Sequence, residues 1–169
     1  MNVRKQTEIR RWGIVILCSL LLVLNITTLE ACPFCPGPST TLSRQLELAD
    51  VAILGQWSSA KLGTLQKTGQ TSFVISEVLH QPRKSTLKVG DQIILSRHYA
   101  GKPDQQFFLT GARGISLHWN EPVAMTSASI VYLKQAPSQK METSHRLRYF
   151  LNYLEHPDTI IANDAFAEF

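Results

Sequence analysis

The chain has 169 residues, a net charge of +4, and a hydrophobic fraction of 44% against a charged fraction of 18%. This balance excludes a disordered chain, which would have few apolar residues and many charges. Without residues 1–31 the chain keeps 13 basic and 11 acidic side chains, a net of +2, and its lysines and arginines are scattered along the sequence. Nucleic-acid-binding proteins concentrate such residues on one face, so nucleic acid is not an expected partner.

Residues 1–31 have the layout of a secretory signal peptide. A basic segment with four Lys and Arg side chains precedes an apolar run from Trp12 to Ile26 and a short polar tail. The prediction is an exported protein, periplasmic, cell-surface or extracellular, that begins at Cys32. A retained membrane anchor over residues 12–29 is the alternative, although a span needs about 20 apolar residues. The Leu-Glu-Ala-Cys sequence also resembles the lipobox of bacterial lipoproteins, so lipidation of Cys32 stays open.

The two cysteines that the mature chain would keep form the motif Cys32-Pro33-Phe34-Cys35. A Cys-x-x-Cys pair of this kind resembles the redox motif of glutaredoxins, in which a helix N-terminus favours the reactive thiolate. Here Pro36 and Pro38 follow at once and disfavour such a helix. We therefore interpret Cys32 and Cys35 as a local disulfide, with thiol-disulfide exchange as the alternative and these two residues as its only catalytic candidates.

No cofactor or metal is predicted from the sequence. Two cysteines supply only half of a zinc site. The histidines do not complete it, because they are far apart and form no His-x-x-His pair or related zinc motif.

The segment after the cysteines predicts one short helix followed by five strands. Leu42, Leu46 and Ala49 have near-helical spacing, which predicts a helix from about 41 to 49 after candidate caps at Ser39, Thr40 and Thr41. Short apolar or alternating runs between Gly, Pro and Asp turns predict strands over 50–58, 71–79, 92–97, 106–110 and 115–119. The expected fold class is α+β, with these strands in a small barrel or sandwich.

The order of these elements resembles a netrin-like module, the domain best known from tissue inhibitors of metalloproteinases. The resemblance rests on a cysteine motif directly after the leader, a short helix, and the sequences at residues 49–55, 73–79, 87–93 and 107–111. It covers about residues 32–120 and implies a five-stranded OB-like β-barrel. The chain also resembles uncharacterised bacterial exported proteins with a Cys-Pro-Phe-Cys start, for which the family supplies no activity.

The resemblance to metalloproteinase inhibitors does not extend to the cysteine arrangement on which their inhibition depends. In the metalloproteinase inhibitors a Cys-x-Cys start is tied by disulfides to distant cysteines, and its first residue chelates the enzyme's zinc. This chain has a Cys-x-x-Cys start and no cysteine after Cys35. Inhibition through an N-terminal Cys32 is therefore the weakest alternative, and the predicted cleavage after Ala31 keeps it open.

One group of side chains suggests a ligand site on the predicted barrel. His118 and Trp119 are adjacent in the last strand, and Trp57 ends the first. An imidazole beside aromatic rings on a barrel face suits ligand binding, so these three residues are the candidate ligand-binding set. For the two tryptophans, however, the favoured interpretation is a place in the core.

The C-terminal part predicts helices. Residues 121–142 contain a helix from about 127 to 134 and a linker, and residues 143–169 form an αα-hairpin that resembles one HEAT-type repeat. Its first helix has Ser144 as a candidate cap, and Pro157 suits the first position of the second. The apolar stripes of the two helices are Leu147, Phe150, Leu151 and Leu154, then Ile161, Ala165 and Phe169. A single repeat cannot bury its apolar face, so the hairpin either docks on the barrel or continues into further repeats.

The sequence therefore predicts an exported or envelope-anchored binding module rather than an enzyme. Its expected partner is a protein or a component of the cell envelope. Contact with a membrane is expected only through an uncleaved leader or a lipidated Cys32.

Overall fold

A computed structural model describes residues 40–114 and 116–169, which form an α+β fold of one antiparallel sheet and four helices. The predicted leader and the Cys32 and Cys35 pair lie outside the described residues. In chain order the elements are α1 Leu42–Leu48, β1 Val51–Lys61, β2 Gln70–His80, β3 Gln92–Leu95, β4 Gln106–Arg113, β5 Leu117–Trp119, β6 Val123–Met125, α2 Ser127–Gln135, α3 Thr143–Leu151 and α4 Thr159–Phe166.

The sheet is built around β1, which pairs with both β2 and β4. Its strand order is β3-β2-β1-β4-β5, and β6 also pairs with β4. The pairing of β1 with β2 shifts register at three points, between Ala52 and Ile53, Leu54 and Gly55, and Trp57 and Ser59. Register irregularities of this kind bend a strand and increase its twist, which explains why the sheet curls.

Six strands occupy only five positions in this sheet, because β5 and β6 lie along the same edge of β4. Gly111 of β4 pairs with Trp119, and Phe108 pairs with Val123. The sequence predicted five strands and missed β6. Three residues that directly follow Pro122 are too short to show a two-residue alternation.

Both faces of the sheet are covered, which follows from the uninterrupted apolar start of β1. Val51 and Ile53 point to one face, where they join a cluster with Phe73, Ile75, Ile93, Leu95, Phe107 and Leu109. Ala52 and Leu54 point to the other face and contact the helices. Because strand side chains alternate, four consecutive buried residues mean that β1 is buried on both sides.

The helices cover the second face through one continuous core. Its members come from every helix and from β1, β4 and β6: Leu42, Ala49, Ala52, Leu54, Phe108, Met125, Tyr132, Leu133, Phe150, Ile161 and Ala165. From the predicted apolar stripes, Phe150, Ile161 and Ala165 are buried in this core, whereas Leu151 and Phe169 are 59% and 63% exposed. Of the two outcomes that the sequence left open, the described residues show docking on the sheet. None of their helices is long and apolar enough to cross a bilayer.

Three helices begin at a side-chain cap. The Thr41 hydroxyl accepts a hydrogen bond from the Arg44 N–H at the start of α1. Thr126 and Ser129 form a reciprocal capping box at the start of α2. The Asp158 carboxylate accepts from the Ile160 N–H at the start of α4. Such caps satisfy backbone donors that have no partner inside the helix.

Two predicted helix starts were wrong. Helix α3 begins one residue before Ser144, with Glu142 as an N-cap that makes no side-chain cap bond. Pro157 is not the first residue of α4, because it precedes the cap Asp158. An aspartate satisfies a free N–H at a helix start, whereas a proline at the first position only avoids having one.

Candidate functional site

The two edge strands of the sheet, β3 and β5, line one open cavity of about 340 Å³. We call it the edge cavity. This volume is at the small end of ligand pockets in proteins. Its lining residues come from β3 and the segment after it, and from β5 and the segment after it: Ile94, Leu95, Ser96, Arg97, Tyr99, Leu117, His118, Trp119 and Glu121.

Strand β5 brings His118 and Trp119 to this cavity. Trp119 pairs with Gly111 of β4, and the absence of a side chain there lets the indole lie against the strand. A Cβ atom on Gly111 would lie 2.9 Å from Cδ1 of Leu117 and 3.3 Å from Cε3 of Trp119. Gly111 therefore sets how closely the β5 side chains approach the sheet.

Tyr99 is held in place by a hydrogen-bonded support from β1 and β2. Its N–H donates to Oγ1 of Thr71 over 2.7 Å, and that fully buried hydroxyl donates to the Arg97 carbonyl over 2.9 Å. The Trp57 indole N–H donates to the Tyr99 carbonyl over 3.0 Å. The Trp57 ring also lies against Gly101, where any side chain would overlap it. These contacts with β1 and β2 fix the position of the segment that carries Arg97 and Tyr99.

Three ionisable side chains surround the two aromatic rings of the edge cavity. Arg97, His118 and Glu121 are all exposed, whereas Tyr99 and Trp119 are half-buried. Half-buried rings offer a flat apolar contact, and the surrounding groups offer hydrogen-bond donors and an acceptor. The arrangement suits a ligand with an apolar or ring-shaped body and polar substituents at its margin.

A larger groove of about 860 Å³ lies between α1 and the β5–β6 connection. Gln45, Leu48, Pro122, Val123 and Ile160 are among its lining residues, and Glu121 is the one charged side chain there. This groove is mostly apolar and contains no aromatic ring. The edge cavity is the better candidate for a specific site, because rings and charges of both signs converge in it.

The predicted site residues are partly brought together. His118 and Trp119 share the edge cavity, and Trp57 supports Tyr99 instead of lining the cavity. The sequence prediction missed Arg97, Tyr99 and Glu121, which precede or follow strands. The only local signal was an aromatic residue between a strand and the turn residues Gly101 and Pro103.

Cys32 and Cys35 lie outside the described residues, so disulfide formation and thiol exchange stay sequence predictions. Within residues 40–114 and 116–169, no group of three or more His, Cys, Asp or Glu side chains is arranged to hold a metal ion.

A second polar centre, buried between α1 and the C-terminal helices, was not predicted. Asp164 is 9% exposed and accepts hydrogen bonds from the Leu42 N–H over 2.7 Å and the Tyr132 hydroxyl over 2.8 Å. Burial raises the pKa of Asp164 above its usual range, and these two hydrogen bonds oppose that shift. Burial also raises the pKa of Tyr132, with a further contribution from the Asp164 charge.

A buried ion pair lies beside Asp164. Glu168 accepts from Arg146, with 3% and 15% of the two side chains exposed, and also from the Ser43 hydroxyl over 2.5 Å. Asp164 lies on α4 three residues after Ile161, and Glu168 follows the end of the helix seven residues after Ile161. A polar residue at the spacing of an apolar stripe was the available sequence signal. We interpret this centre as structural, because its hydrogen bonds fasten α1 to the C-terminal helices.

The chain matches no family model, no curated protein and no solved structure.

Proposed function

We propose that this chain is an exported, non-enzymatic binding module that takes its ligand at the edge cavity. The expected ligand belongs to a protein or to a component of the cell envelope. The observation that carries the proposal is the convergence of Tyr99 and Trp119 with Arg97, His118 and Glu121 on the two edges of one sheet. Rigid aromatic side chains dominate binding energy in recognition sites, and the surrounding polar groups give specificity.

Support for a preformed site comes from the way its rings are held. Thr71 and Trp57 fix the Tyr99 segment through hydrogen bonds of 2.7 Å and 3.0 Å, and Gly111 seats Trp119. Side chains that are already fixed lose less conformational entropy when a ligand binds. Edge strands also carry unpaired backbone donors and acceptors, which an extended ligand can use.

We further propose that the curled sheet is an OB-like barrel and that α3 and α4 form an αα-hairpin. The strand order supports the barrel, since it leaves β3 and β5 as the two edges and both edges line the same cavity. The connection of residues 152–158 falls within the range of about 2–8 residues that is common between packed helices. An OB-like barrel is a partly open barrel and commonly binds ligands on its surface.

The test is site-specific photo-crosslinking in the cells that export the protein. A photoreactive amino acid replaces His118 at the edge cavity, and a matched variant carries it at Phe166, which is 75% exposed on α4. We expect a defined adduct from position 118 and not from position 166. Adding Trp119→Ala should abolish the adduct while leaving the far-ultraviolet circular dichroism spectrum unchanged.

Two results would contradict the proposed function. One is the absence of any adduct at position 118. The other is an adduct that forms equally from both positions or survives Trp119→Ala, because it would then not depend on the edge cavity.

A further inference from the structure

The turn between β1 and β2 exposes two leucines at its tip. Leu62 is 77% exposed and Leu65 is 108% exposed, the highest value of any large apolar residue described. The Thr64 N–H donates to the Lys67 carbonyl over 2.8 Å, and the Lys67 N–H donates back over 3.3 Å. These two bonds close a tight turn and hold Leu65 at its outermost point. Neither leucine contributes to the two cores of the fold.

Lysines flank these leucines without nearby carboxylates on the same hairpin. Lys61 and Lys67 lie on either side of the tip, and no Asp or Glu occurs from Val51 to Ser76. Asp50 and Glu77 bound this stretch, roughly 35 Å from Lys61 along β1 and roughly 23 Å from Gln70 along β2 at about 3.3 Å per strand residue. The Debye length is about 8 Å at physiological salt, so neither carboxylate offsets the lysines.

Neighbouring segments keep this end of the sheet basic. Gly69 lies against His98, next to Arg97 in the connection after β3. Asp104 lies on the connection before β4, next to Gln105, whose carbonyl accepts a hydrogen bond from the Trp57 N–H. That contact is about 13 Å along β1 from Lys61 at about 3.3 Å per residue, and Lys102 on the same connection balances the charge of Asp104.

We propose that the tip of the β1–β2 turn docks on an anionic lipid surface. Leu62 and Leu65 enter the boundary between headgroups and acyl chains, and Lys61 and Lys67 contact the lipid phosphates. Affinity at such surfaces combines buried apolar area with attraction to anionic lipids, and this turn presents both. A protein partner fits less well, because lysines are depleted at the centres of protein interfaces. The proposal goes beyond the binding function assigned to the edge cavity and uses a different surface.

The experiment measures depth in the bilayer at the tip of the turn. Leu65→Trp and the matched control Leu48→Trp, whose native leucine is 71% exposed on α1, are made in the full chain. Each is reconstituted in vesicles of phosphatidylglycerol and phosphatidylcholine that contain brominated lipid, and the emission of the unsubstituted chain is subtracted. Both variants share the same N-terminus, so any anchoring by the leader affects them alike.

We expect strong quenching at position 65 and little at position 48. Lys61→Gln with Lys67→Gln should lower the docked-to-undocked ratio at position 65 by about fivefold for each lysine, the value of one cation near an anionic bilayer. Replacing the mixed vesicles with pure phosphatidylcholine vesicles should also lower the docked-to-undocked ratio at position 65. Equal quenching at both positions, or no quenching at position 65, would overturn docking by the turn. Quenching that persists unchanged in pure phosphatidylcholine would overturn the anionic surface.

Discussion

The buried carboxylate of Asp164 allows the sharpest test of how the helices are attached to the sheet. Asp164→Ala leaves two buried donors, the Leu42 N–H and the Tyr132 hydroxyl, without an acceptor. An unsatisfied buried donor costs about 1–3 kcal/mol, so the two together cost about 2–6 kcal/mol. Removing the carboxylate also removes the cost of its burial. We therefore expect a loss near the lower end, about 2–3 kcal/mol in the free energy of unfolding.

Asp164→Asn is the matched variant, since its amide can accept from Leu42 and donate to the Tyr132 oxygen. We expect its free energy of unfolding at neutral pH to lie within about 1 kcal/mol of the native value. The two proteins should differ in their pH dependence. Burial raises the pKa of Asp164 in the folded chain, so the unfolded chain ionises at lower pH than the folded one. The contribution of Asp164 to stability should therefore be complete below the ordinary aspartate pKa of about 3.9, and be lost as pH rises through the folded pKa.

The assay is urea denaturation of both full-length proteins, followed by tryptophan fluorescence across acidic and neutral pH. The other titratable groups around Asp164 are Tyr132, Tyr149 and Glu168, with Arg146 paired to Glu168, and they are common to both proteins and cancel in the difference. The stability of native protein minus Asp164→Asn should fall with rising pH. A difference that is constant with pH, or rises with it, would refute the reasoning.

Two further predictions concern the core and the support of the edge cavity. Phe150→Ala removes a fully buried ring that joins the helices to the sheet, and should lower the free energy of unfolding by about 3–5 kcal/mol in urea. The adjacent Leu151→Ala, at a position 59% exposed, should change it by no more than about 0.5 kcal/mol, and equal losses would argue against helix docking through Phe150. Gly101→Ala should displace the Trp57 ring and break its hydrogen bond to the Tyr99 carbonyl. The nuclear magnetic resonance signal of the Trp57 indole N–H should then shift. An unshifted signal would show that Gly101 is not a packing constraint.

Local sequence patterns were sufficient for most of the secondary structure. The helix from about 41 to 49 lies at Leu42–Leu48, and the five predicted strands are all present with ends shifted by up to three residues. These elements have apolar periodicities that span several residues, which is why they were predictable. The short strand Val123–Met125 forms by pairing with β4, which is distant from it in sequence, and three residues are too few to show a periodicity. The helix starts at Glu142 and Asp158 were not predicted either, because a start is set by one or two residues and not by a repeating pattern.

The residues of the candidate site also divide into those that the sequence predicted and those that only the fold brings together. His118 and Trp119 were predicted because they are neighbours in one strand. Arg97, Tyr99 and Glu121 join them only because β3 and β5 are the two edges of a curled sheet. No periodicity in the sequence encodes which connections meet at a sheet edge.

The sequence by itself determined the α+β class, the positions of most elements, and the apolar stripes that had to be buried. Only the tertiary structure decided where those stripes are buried and which polar groups accompany them. Asp164 reaches the Leu42 N–H across 122 residues of sequence, and Glu168 reaches Ser43 across 125. Hydrogen bonds of this kind depend on distance in space, which local propensity and periodicity do not specify. The burial that makes them stabilising, and that raises the pKa of Asp164, exists only after the helices have docked on the sheet.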